Sequence, residues 1–290
     1  MKLRNVKRLL YSEMVDMGGL PVRQPLPTQK VEQIDPFLLL HHHQGKVAPH
    51  SSPRSKGVGP HPHRGFSPVT FVLKGSVHHR DSRGNSSVIH AGGVQWMQAG
   101  LGIVHSERPS QELAEKGGEQ EIIQLWINTP AAHKMEQPEY FAFEADELPT
   151  KVSEDGKTHV QVITGRYMDL HGPIKGKSEL LVYRVDLAQG GTFEASISSD
   201  YHLVVYNMDA PVQVAGYGLV EGLQLIHFDE QGDGLHITAK EATRLLVLAG
   251  KPIQEPVVSY GPFVMNTQTQ VMEAMRDAQL GKMGILIEEF

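Results

Sequence analysis

Apolar residues recur along this chain in short runs that alternate with polar ones and are cut by glycine, proline and asparagine. Such runs suit β-strands that fold back on one another. In the first half they predict strands around Val6–Tyr11, Asp35–Leu40, Ser67–Lys74, Ser76–Asp81, Ser87–His90, Val94–Met97 and Glu119–Asn128. Ser82-Arg83-Gly84-Asn85 supplies a hairpin turn between two of them. The second half repeats the style at Val160–Thr164, Leu180–Leu187, Thr192–Ile197, His202–Asn207, Val212–Val214, Gly222–Phe228, Leu235–Ile237 and Thr243–Gly250. Many short strands at close spacing read as a β-sandwich or small barrel. One helix is expected, over Asn266 to Gly281. There Thr267 can cap with Gln270, and Val271, Met272, Met275 and Ala278 form an apolar stripe that core packing would use.

Two stretches break the strand rhythm. Residues 18–27 hold Gly18, Gly19, Pro21, Pro25 and Pro27, and Gln44–Gly59 is polar, which places a loop directly before the first histidine pair and so at the mouth of a barrel. Pro130–Pro149 reads as connecting material and divides the chain into residues 1–135 and 136–290. A length of 290 residues suits two such domains, each with a real core, and 40% hydrophobic with 21% charged residues is an ordinary globular balance. The net charge of −6 argues against direct nucleic-acid binding, which needs clustered Lys and Arg. Lys2, Arg4, Lys7 and Arg8 lie beside Glu13 and Asp16 and are too few for tight duplex binding. No apolar run approaches a membrane span or a signal-peptide core, so no membrane association and a cytoplasmic location are expected. The chain has no cysteine, which excludes disulfides and thiolate metal sites and leaves histidine, carboxylate and water as ligands.

That restriction directs attention to Gly59–Glu107. It opens with His61-Pro62-His63 and closes with His105-Ser106-Glu107. Within each pair the i, i+2 spacing puts both side chains on one face of an extended strand. Three imidazoles and one carboxylate suit a first-row divalent ion and leave two octahedral positions open. Histidine binds metal as the neutral ring, so affinity is expected to fall below about pH 6.5. Val69, Phe71 and Leu73 share the parity of the histidines if the strand runs without a bulge, and with Trp96 and Met97 would wall a pocket of roughly 300–1,000 Å³ opening onto the metal. His41, His42 and His43 alternate faces and are expected at the surface. His78, His79, His90, His171, His202, His227 and His236 stand apart on strand-like segments and read as structural. There is no Gly-x-Ser-x-Gly elbow, phosphate loop or His-Glu-x-x-His.

The residues around these motifs resemble the pirin family, bicupins of the cupin superfamily. The matching pieces are Asp35-Pro36-Phe37-Leu38-Leu39, Pro60-His61-Pro62-His63-Arg64-Gly65-Phe66, His79-Arg80-Asp81-Ser82, Val94-Gln95-Trp96-Met97, Ala99-Gly100 with Gly102-Ile103-Val104-His105-Ser106-Glu107, and Gly261 to Thr267. The resemblance implies an all-β fold of two cupin-type barrels, face to face, with a C-terminal helix. One mononuclear metal, usually iron(II), would sit in the N-terminal barrel on His61, His63, His105 and Glu107, with zinc, manganese, nickel or copper able to replace it. The second barrel would be a degenerate copy. Ser67 stands where cupins commonly place a carboxylate, which leaves Glu107 as the acid of the set. His90-Ala91-Gly92-Gly93 departs from the usual Gly-Pro-Gly-Asp, and His90 is expected as a solvated turn residue. By resemblance the activity is that of a quercetin 2,3-dioxygenase, opening a flavonol ring with O2 and releasing carbon monoxide, with Glu107 as the catalytic base. The alternative is a non-enzymatic metal- and redox-sensing protein that engages a protein partner as a transcriptional co-regulator.

Overall fold

The alternation in the sequence is realised as two units of like architecture in the computed structural model, which describes residues 2–289. Each unit holds a seven-stranded sheet and a four-stranded sheet. In the unit that carries the His-x-His motif, the large sheet runs in the order Glu139–Phe143, Val94–Gln98, Phe66–Lys74, Gly118–Asn128, Phe37–Val47, Leu20–Leu26, Glu13–Met17. Its small sheet runs Val58–His63, Ile103–Arg108, Ser76–Asp81, Ser86–His90. Val72 of the large sheet packs on Val77 and Ile89 of the small one, closing one end of the barrel with apolar side chains. In the other unit, Val160, Val162, Tyr183, Val185, Val205 and Val247 meet Phe193, Val212, Leu235 and Ile237 from its small sheet in one continuous core. Strands with one wet face alternate, as in Leu180–Leu187 and Thr192–Ser196, whereas Phe66–Lys74 and Val94–Gln98 are covered on both faces and are buried at nearly every position.

The chain does not divide at residue 135. One unit comprises the residues up to Glu13, Gln24–Pro36 and Leu148–Pro252; the other comprises Met14–Arg23, Phe37–Glu147 and everything from Ile253 onward. Strand pairing explains the interleaving. Val6–Tyr11 hydrogen-bonds to Gln224–Phe228, deep in the second half of the chain. Glu139–Phe143, within the expected connector, completes the first barrel by pairing with Val94–Gln98. The C-terminal helix, Gln268–Gln279, also belongs to the barrel that holds the histidine motif. Its Ala274 packs with Phe263 and Met283, and Arg64 donates both terminal nitrogens to Asp277 at 3.1 Å.

Several local expectations hold and several change. Thr267 and Gln270 form the expected capping box, but Val271 and Ala274 are the buried helix positions while Met272 is exposed. A one-turn-and-a-half helix at Gln111–Lys116, capped by Ser110, was not foreseen. The polar loop is shorter than Gln44–Gly59, because one strand continues to Val47 and the next begins at Val58. The three consecutive histidines are not at the surface. His41, His42 and His43 lie in the long strand Phe37–Val47 and are all buried, with His42 Nε2 2.9 Å from Glu121 and His43 Nδ1 2.9 Å from the Pro21 carbonyl. Both faces of this strand are covered, so alternation removes no histidine from the interior. Among the described residues no helix is long and apolar enough to cross a membrane.

Candidate metal centre

The strands Val58–His63 and Ile103–Arg108 are antiparallel neighbours, with His105 directly opposite His61 and Ile103 opposite His63. The i, i+2 spacing and this register bring three imidazoles to one spot. Their candidate ligand atoms all lie within 4.8 Å of one another. What allows the chain to leave His63 and cross to the other sheet is Gly65, at φ +87, where a Cβ would lie 2.0 Å from the Val264 carbonyl oxygen. No side chain fits there. Lys134 reinforces the corner from inside, its ammonium donating to the carbonyls of Gly65 and Val264 and to Asn128 Oδ1.

Glu107 stands beside the three histidines and outside that mutually close set. The register slips by one residue between His105 and Glu107, so Glu107 faces Val58 in place of Gly59. Its buried carboxylate accepts a hydrogen bond from the Thr70 hydroxyl. Burial lowers the His61 pKa, while the Gly59 carbonyl and the Glu107 charge oppose that shift. For His63 and His105 burial and the neighbouring imidazoles push the rings well below the ordinary histidine range. The rings are thus neutral and ready to ligate below pH 6.5, and the expected loss of metal affinity moves to lower pH than an exposed histidine would give.

Proton placement tests whether a cation fits. A carbonyl only accepts, so the 2.7 Å contact of His61 Nδ1 with the Gly59 carbonyl puts the proton on Nδ1, and the longer 3.4 Å contact of His63 Nδ1 with Pro262 does the same. Each ring then has a bare Nε2. His61 Nε2 meets His105 Nε2 at 3.0 Å inside the barrel, a distance at which two neutral rings need a proton or a metal cation between them. Neutral imidazole with no thiolate nearby suits a borderline divalent transition ion. The residues present fit such an ion.

The wall opposite the histidines differs from the one expected. Gly65 separates the two strands into different sheets, so the parity of His61 and His63 does not continue into Phe66–Lys74. Phe66 touches His63 with ring centroids 5.0 Å apart, and Thr70 reaches Glu107, so the even positions face the site while Val69 and Phe71 are buried on the reverse. Thr70 is paired with Gln95 on one side and Gln124 on the other, and Gln124 with His41, forming a polar row across the sheet. Trp126 lies on the same face, 5.4 Å from His63 and 4.4 Å from Phe66 between ring centroids. Trp96, opposite Val69, belongs to the other face, whereas Met97, opposite Tyr140, belongs to this one. A cleft of about 480 Å³ exists elsewhere, in the other unit around Lys157, His159, Asp209 and Arg244, and none of the four candidate residues lines it.

Comparison with known proteins gives this geometry a family. The pirin family model matches residues 19–127, and the model of the pirin C-terminal cupin domain matches residues 182–284. A pirin-like protein of Caulobacter vibrioides is 38% identical over 285 residues, covering 97% of this chain and all of that protein. The chain belongs to the pirin family. Among solved structures, this pirin is similar to a quercetin 2,3-dioxygenase from Acinetobacter baumannii, with 35% identity, a TM-score of 0.92 and coverage of 99% of this chain and 100% of that one. A bacterial pirin from Escherichia coli, solved in complex with nickel(II), shares the fold at 19% identity and a TM-score of 0.67, covering 84% of this chain and 99% of that one.

Four residues beside the histidines are not among those that the sequence marks as site residues. Thr70 holds Glu107. His79 contacts His105 at 3.4 Å, Asp81 accepts from His79, and Tyr140 stacks on the His79 ring. A signal existed for two of them, since His79-x-Asp81 has the same i, i+2 spacing as His61-x-His63. Thr70 and Tyr140 carry no such local mark. His90 is exposed, as expected, and pairs with Glu144 at 2.8 Å. Ser67 is buried in its strand.

Proposed function

We propose that this pirin is a metal-dependent dioxygenase that opens a flavonol-type ring with O2, with iron(II) held by His61, His63, His105 and Glu107. The observation that carries the reading is the convergence of three imidazoles, His63 and His105 buried and His61 half-buried, on one point beside a buried carboxylate. The whole-chain likeness to a quercetin 2,3-dioxygenase supports the substrate class. A bound divalent ion would supply Lewis-acid polarisation of a substrate hydroxyl and a route for electrons to oxygen. The chain's own residues do the rest. Thr70 donates to one Glu107 oxygen, which leaves the other to take the proton of an incoming hydroxyl. Trp126 and Gln124, half-buried on the face that holds Thr70, offer a ring and an amide to an aromatic substrate and its oxygen substituents, while buried Phe66 backs His63 and Trp126.

The test is oxygen uptake and carbon monoxide release on mixing the iron-loaded protein with quercetin. Glu107→Gln is expected to keep metal yet lose about 10²–10⁴-fold in turnover, the usual share of a general base. His61→Ala and His105→Ala should bind less than one ion per chain, and full occupancy in both removes the ligand assignment. A fully metallated wild type that neither consumes oxygen nor releases carbon monoxide rejects the dioxygenase and favours the interaction role.

A further inference from the structure

His79 and Asp81 lie behind the histidine cluster on the strand Ser76–Asp81, which pairs with the strand of His105 so that Asp81 faces His105 and His79 faces Glu107. Both are almost fully buried. Asp81 is surrounded by donors. Its Oδ1 accepts from the backbone N–H groups of Arg83 at 2.9 Å and Asn85 at 3.1 Å, and its Oδ2 from Asn85 Nδ2 at 2.7 Å. The remaining contact is His79 Nε2 at 3.1 Å from Oδ2. A carboxylate can only accept, so Nε2 of His79 carries the proton and, in the neutral ring, Nδ1 is bare. That bare Nδ1 lies 3.4 Å from His105 Nδ1. The hydrogen bond between them therefore requires the proton on His105 Nδ1, which leaves His105 Nε2 as the free lone pair that points to His61.

We propose that Asp81 and His79 form a hydrogen-bonded relay that selects the tautomer of His105 and aims its Nε2 at the metal. His79 is a positioning residue: it touches a ligand and not the substrate. His61 and His63 have their Nδ1 protons ordered by backbone carbonyls. His105 has no carbonyl in that role, and a second imidazole takes the place of one. Tyr140 locks the plane of His79 by stacking, with centroids 4.1 Å apart and 12° between the rings, and its hydroxyl is fastened to Ser87 at 2.6 Å. The relay also passes electron density from a carboxylate through two rings towards the ion, which strengthens His105 as a donor.

This inference rests on the three histidines being the metal site, and its test separates the two ideas. Long-range ¹H–¹⁵N correlation spectra of metal-free His61→Ala, which lacks the Nε2 that would otherwise need a proton between it and His105, read the remaining tautomers directly. The expected pattern is Nδ1–H for His105 and Nε2–H for His79, and Nε2–H on His105 overturns the proposal whatever the metal does. Titration with zinc, a diamagnetic probe, then measures the consequence. His79→Phe keeps a ring against Tyr140 but offers no acceptor, and Asp81→Asn removes the charge that orders His79. Each is expected to weaken zinc binding about 10–100-fold, the usual effect of losing an outer partner of a ligand. His79→Gln, whose amide oxygen can accept from His105, should recover part of the loss. Unchanged zinc affinity in folded His79→Phe rejects the relay. The expected tautomers in His61→Ala, beside a wild type that binds no zinc, reject the metal reading and leave the relay standing.

Discussion

A buried imidazole with no hydrogen-bond partner makes folding depend on pH. Among the described residues neither ring nitrogen of His227 has a partner, and burial, with help from Lys7 and Arg8, lowers its pKa to about 4. Burial alone lowers His41, in the other unit, to about 4. In the unfolded chain each ring takes up its proton near pH 6.5, whereas the folded protein resists until pH 4. Between those values the unfolded state binds more protons, so stability falls as pH falls from 6.5 to 4 and is constant above that window. For His227 the loss between pH 7.5 and pH 5 should be on the order of 2 kcal/mol. His227→Leu leaves no donor or acceptor stranded, and urea unfolding at the two pH values should show that much less pH dependence than wild type. Equal pH dependence in the two proteins would mean that the ring finds a solvent path when protonated.

At the scale of elements, the junction between Val58–His63 and Phe66–Lys74 decides whether the ligands meet. Gly65 adopts a left-handed φ and comes so close to Val264 that even a methyl group collides with backbone. Backbone cannot retreat as a flexible side chain can. Gly65→Ala should therefore cost at least about 2 kcal/mol, from the positive φ and the clash together, read as a lower urea midpoint. Because the same turn fixes His63, zinc affinity should fall with it. A variant that loses stability but binds zinc like wild type would show that His63 is held by its own strand pairing alone.

For the whole molecule, the interleaving of chain segments matters more than any single contact. A fragment ending at residue 135 would lack Glu139–Phe143, the capped helix Gln268–Gln279 and Glu288, whose carboxylate pairs with Arg108 at 2.9 Å beside the site. It would leave the edge strand Val94–Gln98 unpaired on one side and Arg108 buried without its partner. The fragment should show no cooperative thermal transition, whereas the full chain should. The strands themselves were legible in the sequence as short apolar and β-branched runs bounded by turn residues: Ser76–Asp81, Leu180–Leu187, His202–Asn207 and Thr243–Gly250 are found at the expected bounds. So was the shared face of His61 and His63, which follows from i, i+2 spacing, and the cap at Thr267, which is a local hydrogen-bond pattern; that His105 lies opposite His61 depends on the pairing of Val58–His63 with Ile103–Arg108. Burial of His41–His43 was not legible, nor was the reversed parity beyond Gly65, nor the seating of the first strand and the last helix. Each depends on which surface lies against which, and a side chain's neighbours from distant parts of the chain are chosen only when the sheets pair and pack. Local sequence determined the strands and the common face of His61 and His63; tertiary packing decided that His105 would meet them, that Thr70 would hold Glu107 and that His79, with Asp81 behind it, would stand against His105.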